Sequence, residues 1–219
     1  MNAEPARQGQ LLVCFAVREE ARHFQPPSGC AGQVVVSGIG ASNAKRALLA
    51  ALTSFTPELV LTCGYAGGLH PDLPVGKVIF DADESTKLKP HLIELGAAPV
   101  QFFCADRIAT TAAQKHALRL QTGADAVEME SGVIRAVCRE RGIPAATIRV
   151  ISDDAHTDLP LDFNQLAKAD GNISYARLAA ALVKAPGLVP KLMRFQRELA
   201  GCSRQLGDTL RGLLVRRTG

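Results

Sequence analysis

Short apolar runs alternate along this chain with segments of helical spacing, and glycine or charged residues gather where the runs end. Strand-like runs occupy residues 10–17 (QLLVCFAV), 33–36, 59–63 and 145–151, with further candidates at 77–80, 100–103 and 124–129. Between them, Ala44, Ala47, Leu48, Ala51, Leu52 and Phe55 recur at helical spacing with Ser42 or Asn43 as cap. Thr110 or Thr111 caps a second helix closed by Gly123, and Val133, Ile134, Val137 and Cys138 share one face of a third. Strands alternating with helices predict an α/β fold with a mixed, mostly parallel central sheet flanked by helices in three layers. At 219 residues the chain is long enough for one such domain without disulfide staples. The six cysteines contain no C-x-x-C pair and have no adjacent histidine cluster, so they read as reduced core residues and no metal is expected. No run approaches the ~20 apolar residues of a membrane span, and nothing near Met1 reads as a leader. The expected location is cytoplasmic.

In open α/β sheets, ligands bind at the carboxyl ends of strands. Here those ends are residues 18–20, 37–40, 64–68, 128–130 and 152–154. Gly64-Tyr-Ala-Gly-Gly68 allows close approach of backbone N–H groups to an oxygen-rich ligand, or a tight turn. Ser37-Gly-Ile-Gly40 partly imitates a dinucleotide fingerprint, but Asn43 stands at the third glycine; an NAD-dependent oxidoreductase is a distant alternative. Glu128 and Glu130 flank Met129 where a strand becomes a helix, and in extended backbone they share one side. Such a carboxylate suits adjacent sugar hydroxyls; the plainer role is complementing a helix dipole. Asp153, after Ser152, is a candidate proton donor or a cap. Arg149 lies inside an apolar run and needs an anionic partner, either a structural carboxylate or a bound anion. Glu19 and Glu20 open a helix, as solvated first-turn acids or with one entering the cleft.

Four motifs in order resemble the purine and uridine phosphorylase superfamily, which includes the methylthioadenosine/S-adenosylhomocysteine nucleosidases. They are Arg18-Glu-Glu20, Thr62-Cys-Gly-Tyr-Ala-Gly-Gly68, Ala126-Val-Glu-Met-Glu130 and Arg149-Val-Ile-Ser-Asp153. A closer resemblance, to the hopanoid-associated phosphorylases, covers Val127-Glu-Met-Glu-Ser131, Asp153-Asp-Ala-His156, Lys168-Ala-Asp-Gly171 and Ala185-Pro-Gly-Leu-Val-Pro190. The resemblance implies a nucleoside phosphorylase-like fold and phosphorolysis of a purine N-ribosyl bond, with adenosylhopane as candidate substrate. Hydrolysis by a nucleosidase is the alternative, and a non-catalytic nucleoside- or lipid-binding module is a more distant one. It implies Asp153 as the acid acting at the purine N7, supported by Ser152. Glu130 would bind ribose hydroxyls, Met129 would pack on the sugar, and Glu128 would stand behind. Gly64 and Tyr65 would lie near the anomeric carbon, and Glu20 would position water. Arg149 and Gly67 are the phosphate candidates. No cofactor is implied beyond phosphate as co-substrate, and a homodimer is common in the family. Two positions depart from it: Tyr65 replaces a small hydroxyl residue, and Thr62 stands where many phosphorylases carry an arginine.

The net charge of +4 belongs to one segment. From Lys191 onward, seven basic residues face two acidic ones, so the segment carries +5 and the rest is nearly neutral. Leu188, Leu192, Phe195, Leu199, Cys202, Leu206, Leu210 and Leu213 form one apolar stripe on it. Residues 1–187 thus read as a catalytic domain and 188–219 as a basic amphipathic helical extension. Its stripe would pack on the domain, on a partner subunit, or on the inner membrane surface. Nothing accompanies the charge to suggest nucleic acid.

Overall fold

A computed structural model describes residues 10–26, 32–166 and 175–218. β1 (Leu11–Phe15) enters a single helical turn, α1 (Arg18–Ala21). Then come β2 (Gly32–Val36), α2 (Ala41–Ala51), β3 (Leu59–Gly68) and β4 (Val78–Ala82). α3 (Lys89–Glu94) precedes the short strands β5 (Ala98–Pro99) and β6 (Phe102–Cys104). α4 (Ala112–Thr122), β7 (Ala126–Glu128), α5 (Ser131–Glu140) and β8 (Ala145–Asp153) follow. The last elements are α6 (Phe163–Leu166), α7 (Tyr175–Lys184) and α8 (Leu188–Thr218).

The strands share one sheet in the order β2-β1-β3-β8-β4-β5, with β7 on β3 and β6 on β7. β1 is parallel to β2 and β3, and β3 to β8, while β4 and β7 run antiparallel to β8 and β3. The sheet is therefore mixed and mostly parallel, as the alternation of runs predicts. Because strand side chains alternate, β1 feeds two cores. Leu11, Val13 and Phe15 face α8, whereas Leu12 and Cys14 face α2 and α5. These are the three layers.

α8 supplies one of them. Cys202, Leu206, Leu210, Leu213 and Leu214 are buried in the larger core. Each leucine removed from water contributes roughly 1.5–3 kcal/mol as an upper estimate, so this half of the stripe is a structural layer. Gly207 permits the contact, because a Cβ there would collide with the His23 carbonyl just past α1. The stretch of the stripe from Cys202 to Leu214 is thus covered by the domain itself. Among the described residues no helix is long and apolar enough to cross a membrane.

Some local expectations differ from the structure. α2 opens at Ala41 with Gly40 at its cap, and Asn43 turns back to donate to the Ile39 carbonyl. Thr111 does cap α4, with Gln114 completing a capping box. The 64–68 glycine segment is no turn: β3 continues through it to Gly68. β8 likewise runs on to Asp153. Their pairing skips a residue, Ala66 facing Ile151 and Gly67 facing Asp153, so Ser152 is a bulge. Bulges re-aim side chains. The motif at residues 168–171 lies outside the described residues.

Candidate active site

The five strand ends converge on one cleft of about 1030 Å³. Its lining includes Glu20, Gly38, Tyr65, Gly67, Glu128, Met129, Glu130, Ser152 and Asp153. Gly64 and Arg149 sit directly beneath it, in contact with Glu20, Glu128 and Glu130. Residues spread over 133 positions of sequence are thereby brought together by β1, β3, β7 and β8.

One end of the cleft is built around Arg149, which is 1% exposed. Its Nη2 donates to Glu128 Oε2 at 2.5 Å and Glu130 Oε2 at 3.2 Å, and to the Thr62 hydroxyl at 3.3 Å. The anionic partner that a buried arginine requires is a pair of carboxylates. Glu20 is the third acid here. Its Oε2 accepts from the Ala16 and Val17 N–H groups, and its Oε1 from the Tyr65 N–H at 2.9 Å. Gly64 has φ +151°, and a Cβ on it would strike both Glu20 and Arg149. Glycine is needed at this point so that Glu20 and Arg149 can both lie against bare backbone.

Three acids around one cation cannot all be comfortably ionised. Burial pushes Glu20 up to about 7, against the partial offset of Arg149. Glu130 is also raised by burial, with Glu128 adding to the effect. For Glu128, burial is outweighed by Arg149 and by hydrogen bonds from Ser131 and the Glu130 N–H, and its carboxyl lies below the usual range. Glu128 is therefore the fixed counter-ion that orients Arg149. Glu130 extends further: its Oε1 accepts from the Gly40 N–H at 2.8 Å. The glycines that imitate a dinucleotide fingerprint thus direct an N–H to a carboxylate, where a pyrophosphate would have to sit.

The other end holds Asp153. Its Oδ1 accepts from the Ser152 hydroxyl at 2.6 Å, and its Oδ2 pairs with Lys115 at 2.6 Å. A Cβ on Gly67 would crowd Asp153 Oδ2 at 3.3 Å. Gly67, a phosphate candidate in the sequence, thus also leaves room for Asp153. Lys115 has no sequence signal, since on α4 it reads as a solvated helix lysine. The third side of the cleft is apolar: Leu159, Phe163, Leu178, Leu192, Phe195 and Leu199 line it. Tyr65 spans to this wall, its hydroxyl donating to the Leu199 carbonyl at 3.1 Å. Ser203 on α8 donates to the Glu19 carbonyl at 2.9 Å, fixing the helical turn that carries Glu20. Burial pushes Cys14 and Cys104 up to about 12, which keeps these thiols protonated and unreactive. Among the described residues no group of three His, Cys, Asp or Glu is placed to hold a metal ion.

Comparison with known proteins gives a consistent outcome. The family model described as "Phosphorylase superfamily" matches residues 29–83 and 81–185. A 5'-methylthioadenosine/S-adenosylhomocysteine nucleosidase of Shewanella halifaxensis is 26% identical over 189 residues, covering 69% of this chain and 80% of its own. Two solved structures share the fold. The futalosine hydrolase of Helicobacter pylori superposes with a TM-score of 0.68 at 18% identity, covering 95% of this chain and 98% of its own. A 5'-methylthioadenosine/S-adenosylhomocysteine nucleosidase of Colwellia psychrerythraea, in complex with adenine, superposes at 0.69 and 16% identity, covering 96% of both chains.

Proposed function

This chain belongs to the phosphorylase superfamily, and from that premise we propose that it is a nucleosidase, hydrolysing the N-ribosyl bond of an adenine nucleoside. The nucleosidase, the alternative beside phosphorolysis in the sequence reading, becomes the leading one. The observation that carries it is the charge at the Arg149 end of the cleft. The guanidinium there is occupied by Glu128 and Glu130, with Glu20 beside it. Three carboxylates around one cation disfavour a further anion, so Arg149 is a poor phosphate ligand and water is the better nucleophile. The hydrolytic relatives point the same way.

The chemistry balances. Breaking the C1′–N9 bond sends its electron pair into the purine, and Asp153 supplies the proton the base takes with it. Water adds to C1′ and gives its proton to Glu20. Glu20, raised to about 7 by burial, is poised to accept it near neutral pH. The net negative charge around Arg149 stabilises the oxocarbenium-like sugar electrostatically. Glu130 and Met129 hold the ribose. The apolar wall from Leu159 to Leu199 receives the ribose 5′ substituent, which is therefore a nonpolar group. The cleft is at the upper end of small-molecule sites, ~300–1,000 Å³, and leaves room for a bulky one.

One observation favours phosphorolysis as a second reading, with a hopanoid as the bulky 5′ group. Arg18, Arg22, Arg46 and Arg107 line the outer cleft and could receive phosphate. Adenine release from methylthioadenosine in phosphate-free buffer separates the two. Release at full rate supports hydrolysis; release only on adding phosphate makes the enzyme a phosphorylase.

A further inference from the structure

The proposed acid has a partner on the side away from the cleft. Lys115 is the buried residue of α4, 0% exposed, and it does not line the cleft. Its Nζ donates to Asp153 Oδ2 at 2.6 Å, to the Asp154 carbonyl at 2.6 Å and to the Thr157 carbonyl at 2.9 Å. An ammonium has three N–H donors, and here all three have acceptors. On the far side of the carboxyl, Oδ1 accepts from Ser152, which does line the cleft. The two oxygens of Asp153 therefore differ: one is held from behind by a buried cation, the other lies beside Ser152.

On the reading that Asp153 protonates the leaving base, we propose that Lys115 is its positioning residue, holding Oδ2 so that the transferable proton resides on Oδ1. A proton on Oδ2 would set an O–H donor against an N–H donor and leave a buried ammonium hydrogen without an acceptor, which is costly. The proton is thereby confined to the oxygen that Lys115 does not occupy. Without Lys115 the terminal torsion of an aspartate is broad and nearly two-fold. The carboxyl would then turn freely, and misplacement by about 1 Å costs on the order of 10²-fold in rate. The same ammonium also ties residues 154–157 to α4. Anchoring the turn is the competing role, and it predicts no dependence on Asp153.

The test is a double-mutant cycle on adenine release from methylthioadenosine, with kcat and KM measured for the wild type, Lys115→Met, Asp153→Asn and the double variant. The expected result is a kcat loss of about 10²-fold for Lys115→Met with KM changed less than about threefold. In the Asp153→Asn background the same change should cost less than about threefold, because the group it positions is gone. A Lys115→Met kcat within about threefold of wild type overturns the proposal, as does an equal loss in both backgrounds. Should Lys115→Met not fold, Lys115→Arg enters the same cycle: it keeps the charge and alters the reach, and a loss independent of Asp153 is again fatal. Full activity in Asp153→Asn alone would reject the acid and the proposal together. An inactive Asp153→Asn beside a fully active Lys115→Met would reject the proposal alone.

Discussion

The two ends of the cleft are both made of buried opposite charges, yet they are balanced differently. Around Arg149, three carboxylates share one cation, and burial holds Glu20 and Glu130 above the usual carboxylate range. Around Asp153, one cation meets one carboxylate and two carbonyls. The surplus of acid suits a sugar that becomes positive in the transition state. On the proposed reading, charge inventory, rather than residue type, separates the sugar end around Arg149 from the base end around Asp153.

The largest expected effect tests the base end. Asp153→Asn should lower turnover by ~10²–10⁴-fold with an unchanged circular-dichroism spectrum, because it removes a positioned acid. Unchanged turnover would erase the distinction between the ends. Next comes the hub of the sugar end. Arg149→Met strands the buried acids and should cost about 3–5 kcal/mol, read as a loss in urea-unfolding free energy. A loss below about 1 kcal/mol would show that the cluster is already largely protonated and needs no cation.

Glu20 gives a smaller effect with two opposite signs. As a base it must be ionised, so kcat/KM should rise with pH and level off above about 7. Stability moves the other way. The folded value lies above the unfolded value of 4.5, so the unfolded chain ionises first and stability falls as pH climbs from 4.5 to about 7. Glu20→Gln should abolish both trends; a surviving activity limb would assign it to another group. The smallest effect belongs to Ser203→Ala, which removes the hydroxyl bond to the Glu19 carbonyl. About 1 kcal/mol of stability should be lost, with a proportionate drop in kcat if the α1 turn loosens. An unchanged kcat would show that Glu20 is held by the Ala16, Val17 and Tyr65 N–H groups alone.

The sequence made the site visible because chemistry-bearing residues cluster at strand ends in a sheet of this class. Glu128, Glu130, Ser152 and Asp153 stand out as candidates by position at strand ends, Arg149 as a cation in an apolar run, and only the family resemblance separates Glu20 from Glu19. Other features had no local signal. The glycines of 64–68 read either as a close backbone approach to a ligand or as a tight turn, because glycine is rare within strands, while the use of Gly64 depends on Glu20 and Arg149 arriving from elsewhere. The bulge at Ser152 exists only in the pairing of β3 with β8, whose facing residues are more than 80 positions apart. Lys115 is buried by a turn some 40 residues away, and a helical lysine is ordinarily solvated.

The reach of α8 has a consequence in time. Ser203 meets the Glu19 carbonyl across 184 residues, and Leu199 meets Tyr65 across 134. Synthesis runs from the amino end, so β1, α1 and most of the sheet leave the ribosome before the helix that covers them exists. Until then Phe15, Leu61 and Val150 present an open apolar face. The part of the cleft wall made by Leu192, Phe195 and Leu199 is therefore added last, after the strands that position the acids.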